Sequence, residues 1–354
     1  MVHHKKYFYP KIMKVLGIET SCDETSVAIL ANGKLLTNLI SSQEFHSEFG
    51  GVVPELSSRA HLQLLVPMIR QALKETNLKL SDINLVCPTA GPGLIGALLV
   101  GLTLGKGLAY SLKIPFVQVN HIEGHIYSGF LMEEKPEFPY LCLAVSGGHT
   151  LLLIVKNESE IVKLGSTIDD AAGEAFDKVS KLLGLGYPGG PQIQNAASKG
   201  DSKKISFPIA NTKNEFDFSF SGLKTAVLRY VQLNYGSADK IPIENIYDIA
   251  ASFQKAAVDA LLARVKKVIN NYEIKSLSLV GGVAANKLLR DSFTELSQKY
   301  KKKLVIPDLK FCGDNAAMIA LRGLMIHQKG KTFGFNTTAY ASLPPDTFKL
   351  PEEY

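Results

Sequence analysis

Two stretches of the chain follow one plan of strand, polar turn and strand. The first stretch begins with the apolar segment Lys14–Glu19 and continues through a polar turn at 20–25. The second begins with Tyr140–Val145 and continues through a small-residue turn at 146–150. A repeat at a spacing of about 125 residues indicates a duplicated unit. It predicts two lobes that each begin with a hairpin whose turn faces a shared cleft.

Strands alternate with helices along the rest of the chain. Residues 58–75 have helical periodicity, and 85–89 have the pattern of a buried strand. Residues 94–112 are apolar nearly all round, which predicts a deeply packed helix, and 114–119 predict a strand that leads to the next helix. The second half predicts helices over 170–183, 245–271, 285–299 and 315–328 and strands over 277–280 and 305–306. This alternation predicts an α/β fold with parallel pairing, each lobe a mixed sheet flanked by helices.

The length of 354 residues suits two lobes better than one core. We expect an N-terminal extension over residues 1–13, a first lobe made of 14–120 with about 315–345, and a second lobe over 121–314. A loop-rich insertion is expected at about 199–216. The extension is basic and aromatic and lacks the apolar region of a secretory signal, which leaves a tag-like, a native or an organelle-targeting role open.

The composition is that of a globular, soluble protein, with 46% hydrophobic and 20% charged residues. The longest apolar run, 94–104, is interrupted by glycine and threonine, so no membrane span is expected. A net charge of +6 permits contact with a polyanion. The four cysteines form no CxxC pair, which favours a reducing, cytoplasmic location.

His121 and His125 are four residues apart, so a helix would place both imidazoles on one face. A distant carboxylate such as Asp314 would complete a two-histidine, one-carboxylate set. Such a set leaves coordination positions open, which suits a catalytic or substrate-orienting divalent metal. Two ordinary histidines without a metal are the alternative. The zinc-protease pattern is absent, because Glu123 lies two positions after His121 and points away from the metal face.

Three glycine turns stand at strand ends or before helices, at Gly147-Gly148, Gly189-Gly190 and Gly281-Gly282. Glycine lets backbone N–H groups approach a phosphate, so the three turns together favour a nucleotide site. Each turn alone is more often a plain turn. Neither a Walker A loop nor GxGxxG after the first strand is present, which disfavours the P-loop and Rossmann folds.

Four polar side chains are candidate ligand-binding or catalytic groups. Two lie in the turn at 20–25, and two lie further along the chain. Asp23 and Glu24 lie in the first turn and could position a metal–phosphate unit or a water, with capping as the alternative. Asp177 interrupts an apolar helical segment and could bind a ribose hydroxyl or an amine. Asn286 follows a glycine turn and is placed to bond a ligand from a helix start.

The sequence resembles the TsaD family of tRNA threonylcarbamoyl transferases, relatives of the KEOPS catalytic subunit. The matching segments are 17–25, 50–55, 91–93, 121–125, 145–150, 169–178, 187–191, 218–225, 281–286 and 313–320. The absence of a tyrosine at Leu143-Ala144 and the pair Cys312-Gly313 point to the bacterial branch or its organellar descendants. The resemblance extends from about Lys14 to Gly330, nearly the whole chain.

The resemblance implies a two-lobed fold of the actin, sugar kinase and heat-shock ATPase type. It implies a metal, usually iron as Fe(2+), bound by His121, His125 and Asp314. It also implies an interlobe pocket for threonylcarbamoyl-AMP. The pocket residues would be Ala144, Val145, Ser146, Gly147, Gly148, Asp177, Gly190 and Asn286.

The reaction implied is an acyl transfer in tRNA processing. The threonylcarbamoyl group would move to N6 of adenosine 37 in tRNAs that read codons beginning with A, and AMP would be released. Asp23 or Glu24 is the candidate for taking the proton of the amine. The implied partners are tRNA, a metal-less paralogue that forms a heterodimer, a small ATPase and an upstream synthase of the adenylate.

Three other functions are open from the residues alone. The histidine pair would suit a metallopeptidase. A fold of this type would also suit an ATP-binding, chaperone-like module. A small-molecule kinase of the same fold would release ADP rather than AMP. The number and order of the family motifs favour the transferase over all three.

Overall fold

Each of two five-stranded sheets organises one unit of the chain in the computed structural model, which describes residues 12–49, 51–342 and 348. The first unit comprises described residues 12–44, 52–131 and 314–342, and the second comprises 45–49, 51, 132–313 and 348. The first unit thus includes 121–131 and Asp314, whereas the sequence suggested a boundary at residues 120 and 121. Most of the predicted extension, 1–13, lies outside the described residues.

The secondary structure alternates as the sequence predicts. The strands are β1 (Lys14–Glu19), β2 (Glu24–Ala31), β3 (Lys34–Ser42), β4 (Leu85–Gly91), β5 (Val119–Asn120), β6 (Tyr140–Val145), β7 (Thr150–Asn157), β8 (Glu160–Ser166), β9 (Ser276–Val280) and β10 (Lys303–Val305). The helices are α1 (Pro54–Glu75), α2 (Ile95–Leu112), α3 (His121–Tyr127), α4 (Ala172–Leu182), α5 (Gly189–Ala197), α6 (Ser221–Tyr235), α7 (Ile243–Asn271), α8 (Lys287–Lys299) and α9 (Ala316–Gln328).

The two sheets have the same strand order. In the first unit the order is β3-β2-β1-β4-β5, and in the second it is β8-β7-β6-β9-β10. In each, the first three strands in sequence are antiparallel, and the fourth and fifth continue the sheet in parallel. The hairpins β1–β2 and β6–β7 correspond, which confirms the repeat read from the sequence.

The strand predicted over 114–119 is shorter in the structure. Only Val119–Asn120 forms β5, and Phe116 makes an isolated bridge to Val86. Pro88 of the facing strand β4 explains the gap. Val86 donates to Pro115 O and accepts from Val117 N–H, but Pro88 has no N–H for the next bond of this parallel ladder.

Helices cover both faces of the first sheet. Successive β1 residues point to opposite sides, so neighbouring residues of this strand contact different helices. Gly17 faces α9, where a Cβ on the glycine would lie only 2.8 Å from the Cβ of Ala320. Ile18 faces α2, where a Cβ on Gly101 would lie 3.2 Å from its Cγ2. The missing side chains of these two glycines let the helix backbones approach the sheet closely.

Helix α2 is only partly buried, so the prediction of deep packing is wrong. Its glycine and alanine face packs on β1 and β4, while Ile95, Leu99 and Tyr110 on the other side are 41%, 46% and 73% exposed. By length and composition, it is the one helix among the described residues that could cross a membrane. The exposed half adjoins α1, where Leu62 and Val66 are also exposed.

In the second unit the described insertion at 199–216 contains no helix or strand, in agreement with the sequence. The buried Arg264 of α7 stabilises the end of this loop, since its guanidinium donates to the carbonyls of Ala210 and Asp217 at 2.5 and 3.1 Å. Strand β8 and helices α5 and α6 are elements that the sequence reading did not identify. The core combines β6–β8 with α4–α8 around Phe176, Phe253 and Phe293.

The close contact at Gly17 predicts a specific instability. Gly17→Ala should lower the free energy of unfolding by about 1–3 kcal/mol, because its methyl group has no room beside Ala320. Gly107→Ala in α2 is the matched control, since no atom lies within 4 Å of a Cβ there, and helix propensity favours alanine by up to about 1 kcal/mol. Urea denaturation compares the two; equal effects would contradict the packing argument.

Candidate functional site

Helix α3 presents the predicted histidine pair. The side chain of Asn120 caps its first turn, accepting from the backbone N–H groups of Ile122 and Glu123 at 2.8 and 3.1 Å. His121 and His125 then lie one turn apart, with ring centroids separated by 4.8 Å. Both are almost fully buried, at 7% and 2% exposure. The helical spacing predicted from the sequence is therefore confirmed.

Asp314 lies beside both imidazoles. Its Oδ1 is 3.4 Å from Nε2 of His121 and 3.0 Å from Nε2 of His125. The candidate ligand atoms of the three residues all lie within 4.8 Å of one another. The structure thus brings together side chains from α3 and from the residue that precedes the cap of α9, as the sequence predicted.

The distances fit a shared cation. Two ligand atoms bound at about 2.1 Å to one ion in tetrahedral or octahedral geometry lie about 3.0–3.4 Å apart. The two Nε2–Oδ1 distances fall in this range. Two imidazoles and one carboxylate leave positions for water or substrate, so the donor set suits a catalytic divalent metal more than a closed structural site.

The packing of α3 on α9 sets this alignment. Gly124 faces α9, where a Cβ would lie 2.8 Å from Cδ1 of Ile319 and 3.2 Å from Cγ of Met318, so the glycine leaves room for these two side chains. Glu123 points away from the ligand side, as predicted, and pairs with Arg322 of α9 at 2.6 Å. The guanidinium of Arg322 also lies 4.0 Å from the ring centroid of Tyr127. Removing either partner of this largely buried ion pair would leave an uncompensated charge.

Glu19 contacts His121 on the ring nitrogen that faces away from Asp314. From the sequence alone, this residue is predicted only as the end of a strand. It is fully buried, and its Oε2 lies 3.2 Å from Nδ1 of His121. The carboxylate also accepts from Thr89 Oγ1 at 2.6 Å and from the backbone N–H of Ser21 at 2.5 Å. A carboxylate that accepts from one ring nitrogen directs the other nitrogen towards a metal. The signal available in the sequence was an acid at the end of an otherwise apolar strand.

The charges around His121 perturb its titration. Burial lowers the pKa of His121, but the negative charges of Asp314 and Glu19 outweigh it and raise the pKa to about 9. Burial likewise opposes ionisation of Glu19, whose pKa is nevertheless lowered by the charge of His121 and its hydrogen bond. Because a metal ligand must be deprotonated, cation binding here competes with protons on His121.

The turn at 20–25 lies next to the ligand set. The hydroxyl of Ser21 is 3.2 Å from Nδ1 of His121. Burial, with the charges of Asp314 and Asp23, raises the pKa of Glu24 to about 10, so Glu24 holds a proton at neutral pH in the metal-free protein. Burial and nearby carboxylates also raise the pKa of the Cys22 thiol.

The predicted substrate residues lie in the second unit. Ala144 and Val145 end β6, and Ser146 begins the turn to β7, where its backbone N–H donates to His149 O at 2.8 Å. Gly147 and Gly148 are exposed, and no atom lies within 4 Å of a Cβ at either position. Both glycines lie at the carboxyl ends of the parallel pair β6 and β9, which is the usual ligand edge of such sheets.

The other predicted substrate residues have structural roles as well. Asp177 accepts from the N–H of Gly189 at 2.7 Å and thereby holds the start of α5, next to Gly190. Asn286 caps α8 by accepting from Leu289 N–H at 3.1 Å, while its amide donates to Gln254 at 2.8 Å. Their part in ligand binding stays a prediction.

Comparison with known proteins identifies close relatives. A family model described as tRNA N6-adenosine threonylcarbamoyltransferase matches residues 34–321. A protein of that name from Thermosipho africanus is 51% identical over 321 residues, which cover 90% of this chain and 96% of the relative. Another from Caldicellulosiruptor saccharolyticus is 47% identical over 335 residues, 94% of this chain and 98% of the relative.

Solved structures agree with the predicted fold class. Component A of (R)-2-hydroxyglutaryl-CoA dehydratase from Acidaminococcus fermentans superposes with a TM-score of 0.54 at 15% identity, over 90% of this chain and all of that chain. HypF from T. kodakarensis gives a TM-score of 0.59 at 15% identity, over 93% of this chain and 50% of that chain. At such identities the likeness concerns the fold alone. It confirms the two-lobed α/β fold of the actin, sugar kinase and heat-shock ATPase type.

The contact between Glu19 and His121 predicts that the protein binds a cation more weakly when a neutral side chain replaces the Glu19 carboxylate. Glu19→Gln should lower Fe(2+) affinity by about 10–100-fold, because the neutral amide lacks the negative charge that makes the imidazole of His121 a more basic ligand. Glu55→Gln in the exposed pair with Arg59 is the control. Equilibrium dialysis at one pH measures both, and unchanged affinity for Glu19→Gln would contradict this role.

Proposed function

Because the chain belongs to the tRNA N6-adenosine threonylcarbamoyltransferase family, we propose that it transfers the threonylcarbamoyl group of threonylcarbamoyl-AMP to N6 of adenosine 37 in tRNAs that read codons beginning with A. The new bond joins N6 to the carbamoyl carbon, and the bond from that carbon to the phosphate oxygen breaks. AMP leaves with the electron pair, and one N6 proton is lost. The observation that carries the proposal is the convergence of His121, His125 and Asp314 in a chain of this family.

The second unit would hold the adenylate. The exposed glycines Gly147 and Gly148 suit the phosphate, which no side chain there obstructs. Gly190, at the start of α5, is half-buried, and a Cβ there would also meet no atom within 4 Å. Asp177 and Asn286 are assigned to the nucleoside, with Asn286 almost buried at 8% exposure. If backbone groups hold the phosphate, the acyl group can be oriented towards the amine. Correct orientation of the reacting groups supplies much of the rate in such transfers.

The first unit would hold the metal, with Fe(2+) as the proposed ion. A bound divalent cation would polarise the carbamoyl carbonyl or orient the threonyl carboxylate and hydroxyl. His121, His125 and Asp314 supply the ligands, and Glu19 keeps His121 in the binding tautomer. Two imidazoles and one carboxylate with open positions are the donor set of many non-haem Fe(II) enzymes.

We assign the loss of the amine proton to Asp23. Glu24 is the poorer acceptor, because burial and two neighbouring carboxylates raise its pKa to about 10. Glu24 instead can donate a hydrogen bond from its protonated carboxyl group. The two adjacent acids of the turn thereby divide the roles of acceptor and donor.

The resemblance also implies partners, and one surface supports a heterodimer with a metal-less paralogue. Exposed apolar side chains of α1 and α2 line a groove with a volume of about 420 Å³. They include Leu62 at 66% and Leu99 at 46% exposure. An exposed apolar patch rimmed by polar residues is typical of a protein–protein contact. We further propose a small ATPase and a synthase as helpers and a cytoplasmic location, the last supported by four unpaired cysteines.

One reconstitution tests the function. The chain with Fe(2+), tRNA, threonylcarbamoyl-AMP and its partner proteins should yield threonylcarbamoyl-adenosine and AMP, which liquid chromatography with mass spectrometry detects. His121→Ala should abolish the product and lower the bound metal together, because a ligand is lost. Asp23→Ala should retain adenylate binding and lose transfer.

Each rival function gives its own signature in the same assay. Release of ADP with a phosphorylated product would indicate a kinase, and cleavage of a peptide would indicate a metallopeptidase. Unchanged activity of His121→Ala would indicate a module that acts without the metal. Loss of adenylate binding in Asp23→Ala would discard its role as the base.

The exposed face of α1 and α2 gives a prediction for the heterodimer. Leu62→Glu should weaken binding of the paralogue by at least about 1.4 kcal/mol, a factor of ten, because a charge would be buried in the contact. Leu233→Glu is the control, since Leu233 lies on α6 and is 85% exposed. Calorimetric titration measures both, and equal affinity of the two variants would place the contact elsewhere.

A further inference from the structure

We propose that His61 of α1 is a positioning residue for the transfer, because it holds the turn at 20–25 and thereby the acids Asp23 and Glu24. The inference rests on the proposed function for its kinetic part and on the described contacts for its structural part. His61 is fully buried, although it lies in a helix whose neighbouring Leu62 is 66% exposed. It touches neither the predicted ligands nor the strand-end glycines through any hydrogen bond described for it.

Both ring nitrogens of His61 contact the turn. Nε2 lies 2.9 Å from the carbonyl oxygen of Cys22. Nδ1 lies 2.8 Å from Oγ1 of Thr25. Ser57, one turn earlier in α1, donates its hydroxyl to the same Cys22 carbonyl and lies 3.1 Å from Nε2 of His61. Two successive turns of α1 thus contact the residues on either side of Asp23 and Glu24.

The neutral Nε2–H tautomer of His61 satisfies these contacts. The Cys22 carbonyl can only accept, so Nε2 of His61 carries the hydrogen and donates. In the neutral imidazole Nδ1 is then an acceptor, and the Thr25 hydroxyl donates to it. The neutral imidazole therefore links Cys22 and Thr25, donating one hydrogen bond from Nε2 and accepting another at Nδ1. Leucine at this position would fill similar space and make neither hydrogen bond.

Other contacts hold the start and the end of the turn. Thr20 Oγ1 donates to Ala97 O at 2.9 Å, and the Ser21 carbonyl accepts from Leu94 N–H at 2.8 Å. The Asp23 carbonyl accepts from Gln43 N–H at 3.2 Å. These bonds fix the backbone before and after Cys22, whereas the bonds of His61 and Ser57 fix Cys22 itself.

The position of this turn matters because it borders the ligand set. Ser21 lies 3.2 Å from Nδ1 of His121, so a shift of the turn moves a neighbour of a metal ligand and both acids at once. Reacting groups that are misplaced by about 1 Å can lose about a hundredfold in rate without any change in their identity. His61 therefore acts through the turn and not on the substrate.

The test compares His61→Leu with Ile69→Ala, which removes a buried side chain two turns along the same helix and away from the turn. His61→Leu should lower kcat by about 10–100-fold while the dissociation constants of Fe(2+) and of the adenylate change less than about twofold. Hydrogen exchange of the peptide 20–26, read by mass spectrometry, should accelerate in His61→Leu and stay at the wild-type rate in Ile69→Ala. His61→Gln should restore part of kcat, since its amide can donate to Cys22 O.

Thr25→Val is the milder second variant in case His61→Leu does not fold. It keeps the side-chain volume, removes the donor to Nδ1 and should give a smaller loss of kcat in the same direction. Wild-type kcat with wild-type exchange in His61→Leu and Thr25→Val, or an equal loss in Ile69→Ala, would overturn the positioning role. An inactive wild-type protein would instead refute the proposed function, and the exchange measurement would still decide whether His61 holds the turn.

Discussion

The close packing of α3 against α9 is the contact on which the candidate metal site depends. The histidines and Asp314 are far apart in sequence, and they meet because α3 packs on α9, where Gly124 leaves room for the side chains of Ile319 and Met318. The buried pair of Glu123 and Arg322 fixes the rotation of one helix relative to the other. Hydrophobic packing alone is non-directional, so this ion pair supplies the orientation that coordination requires. Interactions on the side of α3 away from the ligands thereby determine where the ligand atoms lie.

The site gathers several acids in a small, mostly buried volume. Burial and the charges of Asp314, Asp23 and Glu19 raise the pKa of Glu24, and the charge of Asp314 also opposes the ionisation of the buried Glu19. The charges of Asp314 and Glu19 raise the pKa of His121 against the effect of its burial. Burying carboxylates costs free energy unless cations or donors compensate them. His121, Thr89 and the backbone of Ser21 compensate Glu19. A divalent cation between the imidazoles would compensate the remaining negative charge of the site. The electrostatics and the coordination geometry therefore support the same ligand.

Local patterns in the sequence predicted the fold class, the duplicated hairpins and the helical histidine pair. They failed where the outcome depends on partners distant in sequence. The apolar α2 was expected to be deeply packed, because hydrophobicity does not reveal whether a neighbour exists to cover a face; Leu99 is 46% exposed. Glu19 and His61 were overlooked for a related reason. Their hydrogen-bond partners, His121 and Cys22, are brought close only by the tertiary fold. The strand predicted over 114–119 is short because Pro88, in the facing strand β4, has no N–H to continue the ladder.

The identical strand order of the two sheets implies a history of copying and divergence. The hairpin loop of the first copy contains Asp23 and Glu24, while the matching loop of the second contains Gly147 and Gly148. Two acids would repel a phosphate, whereas a turn without carboxylates offers a cation no acidic ligand. Under the proposed function, equivalent turns of the two sheets therefore serve ligands of opposite charge, a cation in the first and a phosphate in the second.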